Sequence, residues 1–276
     1  MIMDKNNDAL VEKVLNEMMK KGISVKGEDQ SKSSGGPQMN DFLNSTSAVP
    51  ELVGTREIGD TIGMCIPSVD ALLLDQLHVT KRYSVLGVLS SRTGAGPHIM
   101  AMDEAVKATN TEVIDIELPR DTKGGAGHGS LILIGGYDPS DVRSAINVAL
   151  DTLSTTFGDV YSSDAGHLEL QFTARAAGAC HAAFGAPEGK AYGLICGAPA
   201  GIGVVMADTA IKTASVNVLS FASPAHGTSF SNEGMVHISG DSGAVRQAVK
   251  AGREVGLKLL GDMGEKPVNA FPSYIK

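Results

Sequence analysis

The chain has no tryptophan and only 4% aromatic residues, so its packing must rest on small side chains and closely approaching backbones. It also lacks any stretch near the ~20 consecutive apolar residues of a membrane span. Residues 1 to 24 carry acidic side chains and no continuous apolar run, which argues against a secretory leader and predicts a cytoplasmic protein. Clusters of Lys and Arg are missing too. With a net charge of −8, this excludes nucleic acid or an anionic membrane as the main partner, since both need a basic patch. Cysteine is scarce: Cys65, Cys180 and Cys196 have neither the even count nor the short spacing of a disulfide framework or a zinc site, and read as buried free thiols.

What is present is glycine, 33 residues of it, and a repeat. Asp103-Glu104-Ala105-Val106-Lys107, running into Val113-Ile114, returns about 105 residues later as Asp208-Thr209-Ala210-Ile211-Lys212, running into Val218-Leu219. Further on, Ile134-Gly135-Gly136 with Asp141-Val142-Arg143-Ser144-Ala145 answers Ile238-Ser239-Gly240 with Ala244-Val245-Arg246-Gln247-Ala248, the offset slipping by two residues in the intervening loop and turn. A repeat of this length is a duplicated fold unit. With 42% hydrophobic residues, each copy can bury a core of its own.

Residues 8 to 21 set Leu10, Val11, Val14, Leu15, Met18 and Met19 on one stripe at helical period, a short amphipathic helix that needs a partner for its apolar face. From Gly22 to Ser47 the composition turns to Ser, Gly, Asn, Lys and Asp, the signature of a flexible tether. A docking peptide on a leash and an extension with no binding role both fit this arrangement. From about Leu52 the first unit reads as a strand at 61–66, a Ser68-capped helix at 69–77, a strand at 83–89, the turn Arg92 to Pro97 with a helix, and a strand at 112–118. A long loop to Gly129 follows, then a strand at 130–134 and a helix capped by Asp138 with Pro139 at its first position. The second unit repeats the order with strands at 167–173, 192–196, 216–221 and 235–239 and helices ending near Phe184, Ala214 and Leu257. The fold class is α/β: two tandem units, each a four-stranded sheet with about three helices, behind an N-terminal extension. The boundaries are 1–50 for the extension, 51–158 for the first unit and 159–276 for the second.

Catalytic sets are not evident. The turns around Gly94-Ala95-Gly96 and Gly197 to Gly203 follow strands and precede helices, but neither completes a dinucleotide fingerprint. His128, His167, His181, His226 and His237 show no partner at metal-ligand spacing, so no metal and no cofactor is expected. Asp103 and Asp208 fit the first turn of a helix, where the dipole favours a carboxylate. The loops 119–129 and 223–233, rich in Gly, Ser and Thr, each carry one His and sit between paired strands. A binding or pore-lining role and a merely permissive connection fit them equally. A nucleotide-using enzyme and a soluble two-domain ligand-binding module remain the alternatives to a scaffold.

The segments Asp103 to Asn110, Asp121 to Ser130 and Ser223 to Glu233 resemble the tandem-domain shell proteins of bacterial microcompartments that serve propanediol and ethanol utilisation, over about Leu52 to Ile275. The resemblance implies two circularly permuted microcompartment domains, in which the strands and helices at 60–77 and 167–184 come first rather than last. It implies a homotrimer that forms a pseudohexagonal tile, a structural protein rather than an enzyme, packing with other shell proteins. Such a tile encloses diol dehydratase and related enzymes and admits small diols such as 1,2-propanediol or glycerol. Laid on this sequence, the family's pore segment falls on Ala126, Gly127 and His128 in the first copy and on Phe230, Ser231 and Asn232 in the second. The family's edge lysine region falls on the Arg92 to Pro97 turn, where Arg92 is the nearest cation. The N-terminal stripe of Leu10, Val11, Val14, Leu15 and Met18 is expected to dock the enclosed enzymes.

Overall fold

The computed structural model describes residues 50–120, 128–228, 231–264 and 266–276. The expected N-terminal helix with Leu10, Val11, Val14, Leu15 and Met18, the tether after it, and Ala126, Gly127 and Phe230 lie outside the described residues.

The first copy opens with β1 (Glu51–Arg56), a 3-10 turn and β2 (Thr61–Ile66), then α1 (Ala71–Gln76), β3 (Val85–Ser91), α2 (Ala95–Ala108), β4 (Glu112–Glu117), β5 (Ser130–Gly136) and α3 (Pro139–Thr156). The second copy runs β6 (Val160–Ser163), β7 (Gly166–Thr173), α4 (Gly178–Phe184), β8 (Ala191–Ala198), α5 (Ala200–Thr213), β9 (Asn217–Ala222), β10 (Gly234–Gly240) and α6 (Ser242–Asp262). Each copy forms a five-stranded sheet, in the orders β1-β2-β3-β5-β4 and β6-β7-β8-β10-β9, with antiparallel neighbours throughout.

The fifth strand in each sheet corrects the expected count of four. β1 and β6 are short edge strands, ELVGTR and VYSS, with half-exposed faces. Neither carries the apolar alternation that marks a half-buried strand. The cap of α1 is also corrected from Ser68 to Asp70, whose Oδ1 accepts the N–H of Leu72 at 2.7 Å. The expected cap of α3 holds: Asp138 Oδ1 accepts from Ser140 N at 2.7 Å, with Pro139 at the first position.

One face of each sheet carries two helices and the core. In α3, Val142, Ala145, Ile146, Ala149, Leu150 and Leu153 recur at helical period and are buried against Cys65, Leu89, Ile132 and Ile134. In α6, Val245, Ala248, Val249 and Leu260 do the same against Leu168, Leu170, Ile195, Val236 and Ile238. The opposite faces differ. That of the second sheet is covered, with Tyr192, Leu194 and Cys196 packed under Met100 of α2 and Cys180 and Phe184 of α4. That of the first leaves Ile62, Met64, Ile66, Val88 and Leu131 half-exposed. The C-terminal segment closes over the second copy through Asp159. This fully buried carboxylate receives Arg253 Nη1 at 2.7 Å and the N–H groups of Tyr274 and Ile275 at 3.0 and 3.1 Å.

Candidate functional site

The two copies meet along a seam built by α2 and β4 of the first and α4 of the second. Helix α4 has no side-chain cap of its own. Its exposed N–H groups are met instead by Asp103 of α2, whose oxygens lie 3.0 Å from Ala177 N and 2.9 Å from Cys180 N. Asp103 is completely buried and Lys107, one turn on, approaches its Oδ2 at 3.2 Å. The expectation that Asp103 stands in the first turn of its helix is therefore corrected. The helix starts at Ala95, upstream of the apolar repeat, and the carboxylate serves the N-terminus of another helix.

Apolar side chains complete the seam. Ile99, Val106, Val113 and Ile116 pack with Ala179, Ala183 and Phe184, and Met100 packs on Cys180. Shifted by the repeat, Ile99, Met100, Val106, Val113 and Ile116 become Val204, Val205, Ile211, Val218 and Phe221. These five are all large apolar residues left 41% to 52% exposed. On the other partner, the N–H of Val69 donates to the carbonyl of Ser84 as that of Ala176 does to Lys190. This sets Leu72 and Leu73 of α1 where Ala179 and Cys180 stand in α4. Leu72 and Leu73 are exposed as well, whereas Ala179 and Cys180 are buried. Asp208, the counterpart of Asp103, is exposed and, among the described residues, pairs with its own neighbour Lys212 at 2.7 Å.

Beside the seam, between α2 and the second sheet, lies a cavity of about 160 Å³. Its floor comes from strand register. Glu169 of β7, Cys196 opposite it on β8 and Glu233 just before β10 line it, and His167 lies two residues before Glu169 on the same face of β7. The ligand atoms of His167, Cys196 and Glu233 all lie within 4.8 Å of one another, and His167 Nε2 is 2.8 Å from Glu233 Oε1. Gly96 abuts the Glu169 carboxylate so closely that a side chain there would collide with it. Burial, with the charge of Glu233 adding, pushes Glu169 up to about 8. Burial also works against the charge of Glu233, but the His167 and Ser231 hydrogen bonds outweigh it and hold that carboxyl below its usual range. Burial raises the Cys196 thiol. At the far end, Tyr192 Oη lies 2.7 Å from His237 Nδ1, and Phe184 stacks on Tyr192 at 5.4 Å between centroids. Burial lowers His237 to about 4.

Of the residues expected to line a pore, His128 and Asn232 stand at the starts of α2 and α5, and Ser231 is next to Asn232. The carbonyl of His128 accepts the N–H of Ala95 at 2.9 Å. At the equivalent point of the second copy, Asn232 Oδ1 accepts the N–H of Ala200 at 3.1 Å. The Ser231 hydroxyl donates to Glu233, and its N–H to the carbonyl of Thr228 at 2.9 Å. Both loops thus bind the first turn of a helix, and both connect paired strands, β4 with β5 and β9 with β10. Arg92 is exposed in the turn before α2, where its N–H donates to the Gly59 carbonyl at 2.8 Å. Spacing along the chain did not reveal the grouping of His167, Cys196 and Glu233, because they come from three neighbouring strands. Only the alternation of β7, with polar residues at 167, 169 and 171, hints that this face meets something other than a core.

The BMC domain model matches residues 86–164 and 191–268, once in each copy. Over 238 residues the chain is 74% identical to the bacterial microcompartment shell protein PduB of Limosilactobacillus reuteri (strain DSM 20016), spanning 86% of this chain and 100% of that protein. The PduB of Salmonella typhimurium is 62% identical over 234 residues, 85% of this chain and 86% of that one. The crystal structure of a trimeric bacterial microcompartment shell protein PduB superposes with a TM-score of 0.79 at 73% identity, over 82% of this chain and 100% of that one. That of EtuB from Clostridium kluyveri gives 0.78 at 50% identity, over 81% and 98%. Among the described residues no helix is long and apolar enough to cross a membrane.

Proposed function

The chain belongs to the BMC domain family of bacterial microcompartment shell proteins, with two domains in tandem, and from that premise we propose that it is a trimeric tile of such a shell, assembled in the cytoplasm. The observation that carries the trimer is the half-used seam. Each chain makes the contact once internally, through Asp103 and α4, and presents both of its halves again: Asp208 with Val204 and Val205 on α5, and Leu72 with Leu73 on α1. A second chain joins head to tail, α5 against α1, and the same step closes on a third. Such a heterologous contact forms a ring when the rotation closes. Two similar copies per chain then give six similar outer edges, which suit a flat tile that packs with other shell proteins, the Arg92 turn supplying an edge cation.

In such a ring the loops 119–129 and 223–233 of three chains gather near one axis. Gly127 and His128 alternate there with Phe230, Ser231 and Asn232, so the opening has threefold rather than sixfold character. Backbone N–H groups and hydroxyls at this position suit small polar molecules such as 1,2-propanediol or glycerol, and the barrier acts by size and polarity. The N-terminal stripe of residues 8 to 21 docks enclosed enzymes, diol dehydratase among them, to the inner face.

Light scattering tests the assembly: a particle of roughly three times 28.6 kDa, forming sheets under the electron microscope, is expected, and a monomer would sink the reading. Bulky replacements at Gly127 and Ser231 are expected to lower diol flux in intact shells without dispersing trimers. Deleting residues 1–40 is expected to release the enclosed enzymes and leave the trimer intact.

A further inference from the structure

We propose that each chain holds one divalent cation of the borderline-soft, zinc type between Nε2 of His167, Sγ of Cys196 and the carboxylate of Glu233, with Glu169 completing the set. An imidazole, a thiolate and carboxylates are the donors such an ion takes, commonly four in a tetrahedron with metal–ligand distances of about 2.0–2.3 Å. The three named donor atoms already lie within 4.8 Å of one another, a spread that small side-chain adjustments bring onto one ion. Rigid strands place them: β7 supplies His167 and Glu169, β8 supplies Cys196 directly opposite Glu169, and Glu233 stands at the entrance to β10. The Ser231 hydroxyl engages Oε2 of Glu233 and leaves Oε1 facing His167, an outer hydrogen bond of the kind that orients ligating carboxylates.

Glu169 gives an independent reason. Its side chain lines the cavity and the residue is only 6% exposed. Burying a carboxylate is costly unless an opposite charge offsets it. Here a second one, Glu233, lines the same cavity. A cation between them offsets the charge of both, and the Cys196 thiol proton is released to solvent as the thiolate ligates.

The set is confined to the second copy. The first-sheet pairing of Ile62 with Ser90 answers that of Glu169 with Cys196, and Ser90 with Leu131 answers Cys196 with Met235. The ligand positions of the first copy therefore hold Asp60, Ile62, Ser90 and Gly129, which offer neither imidazole nor thiol. One ion per chain follows, three per trimer, none of them required by the fold itself.

The test uses the full-length, untagged chain freed of metal by a chelator and titrated with Co2+ as an optical probe, then with Zn2+. The expected result is saturation at one equivalent per chain, a thiolate-to-Co2+ charge-transfer band in the near ultraviolet, and displacement by Zn2+. Cys196→Ser should remove the band, and Glu233→Gln should weaken Zn2+ binding at least tenfold at unchanged oligomer size. Absence of a saturable equivalent in the wild type overturns the site, whether or not the variants fold. So does a charge-transfer band that survives Cys196→Ser, because the thiolate would then be Cys65 or Cys180.

Discussion

The carboxylate of Asp103 accepts the N–H of Cys180 at 2.9 Å across the seam between the two halves of the chain, and it is the N-terminal cap that α4 does not provide for itself. Charge-assisted bonds to a buried helix terminus are worth more than neutral ones. Replacing Asp103 by Ala leaves the N–H groups of Ala177 and Cys180 without acceptors in a dry interface. The expected loss is about 2–3 kcal/mol in urea denaturation, part of it recovered by Asn, which keeps one acceptor oxygen. Equal stability of Asp103→Ala and wild type would mean that the seam is held by its apolar contacts alone.

A larger loss is expected at Asp159. Its carboxylate is fully buried and holds Arg253, Ser273 and the N–H groups of Tyr274 and Ile275. Asp159→Ala strands the guanidinium of Arg253 and frees the C-terminal segment at once. Breaking a buried pair on one side typically costs about 3–5 kcal/mol. Hydrogen exchange should locate the effect, with protection lost at Tyr274 and Ile275 before the helices open.

Two buried histidines weaken the fold as pH falls. Burial pushes both His98 and His237 down to about 4, against about 6.5 in an unfolded chain. Between those values the unfolded state binds more protons than the folded one, so stability rises with pH across the window. Their contribution is complete above pH 6.5 and is lost as pH falls toward 4, of order 3 kcal/mol for each residue. At fixed protein concentration, His237→Gln, which still offers Tyr192 a hydrogen-bond acceptor, should flatten the fall in melting temperature over this range. An unchanged slope would show that His237 is not held neutral.

The duplication and most of both sheets could be read from the chain, because apolar period and turn residues are local signals and the second copy repeats them. The helix caps show where such reading stops. Asp138 is legible, since Pro139 follows it and the helix begins there, whereas Asp103 looks like an N-terminal acid only until its true helix start at Ala95 is known. The short edge strands β1 and β6 left no alternation to find. His167, Cys196 and Glu233 are brought together by the ladder of β7, β8 and β10, and their spacing along the chain says nothing of it. The contrast between Ile99 and Val204, or Met100 and Val205, was equally silent: each pair is apolar in both copies, and only burial separates the used face from the waiting one.

That waiting face yields a prediction that distinguishes a head-to-tail ring from any two-fold contact. Asp208→Lys on α5 sets a cation against the N-terminus of the partner's helix, where the dipole disfavours it. Leu72→Glu on α1 buries an unpaired charge at the other half of the contact. Each variant alone should be monomeric by light scattering, with native circular dichroism, because both positions are exposed within a single chain. Mixed in equal amounts, the two should give a dimer and stop. The intact α5 face of the Leu72 variant meets the intact α1 face of the Asp208 variant, and the remaining two faces are both damaged. A self-complementary contact would instead need α5 and α1 intact on both partners and would leave the mixture monomeric, while trimers in the mixture would show that neither residue lies in the ring contact.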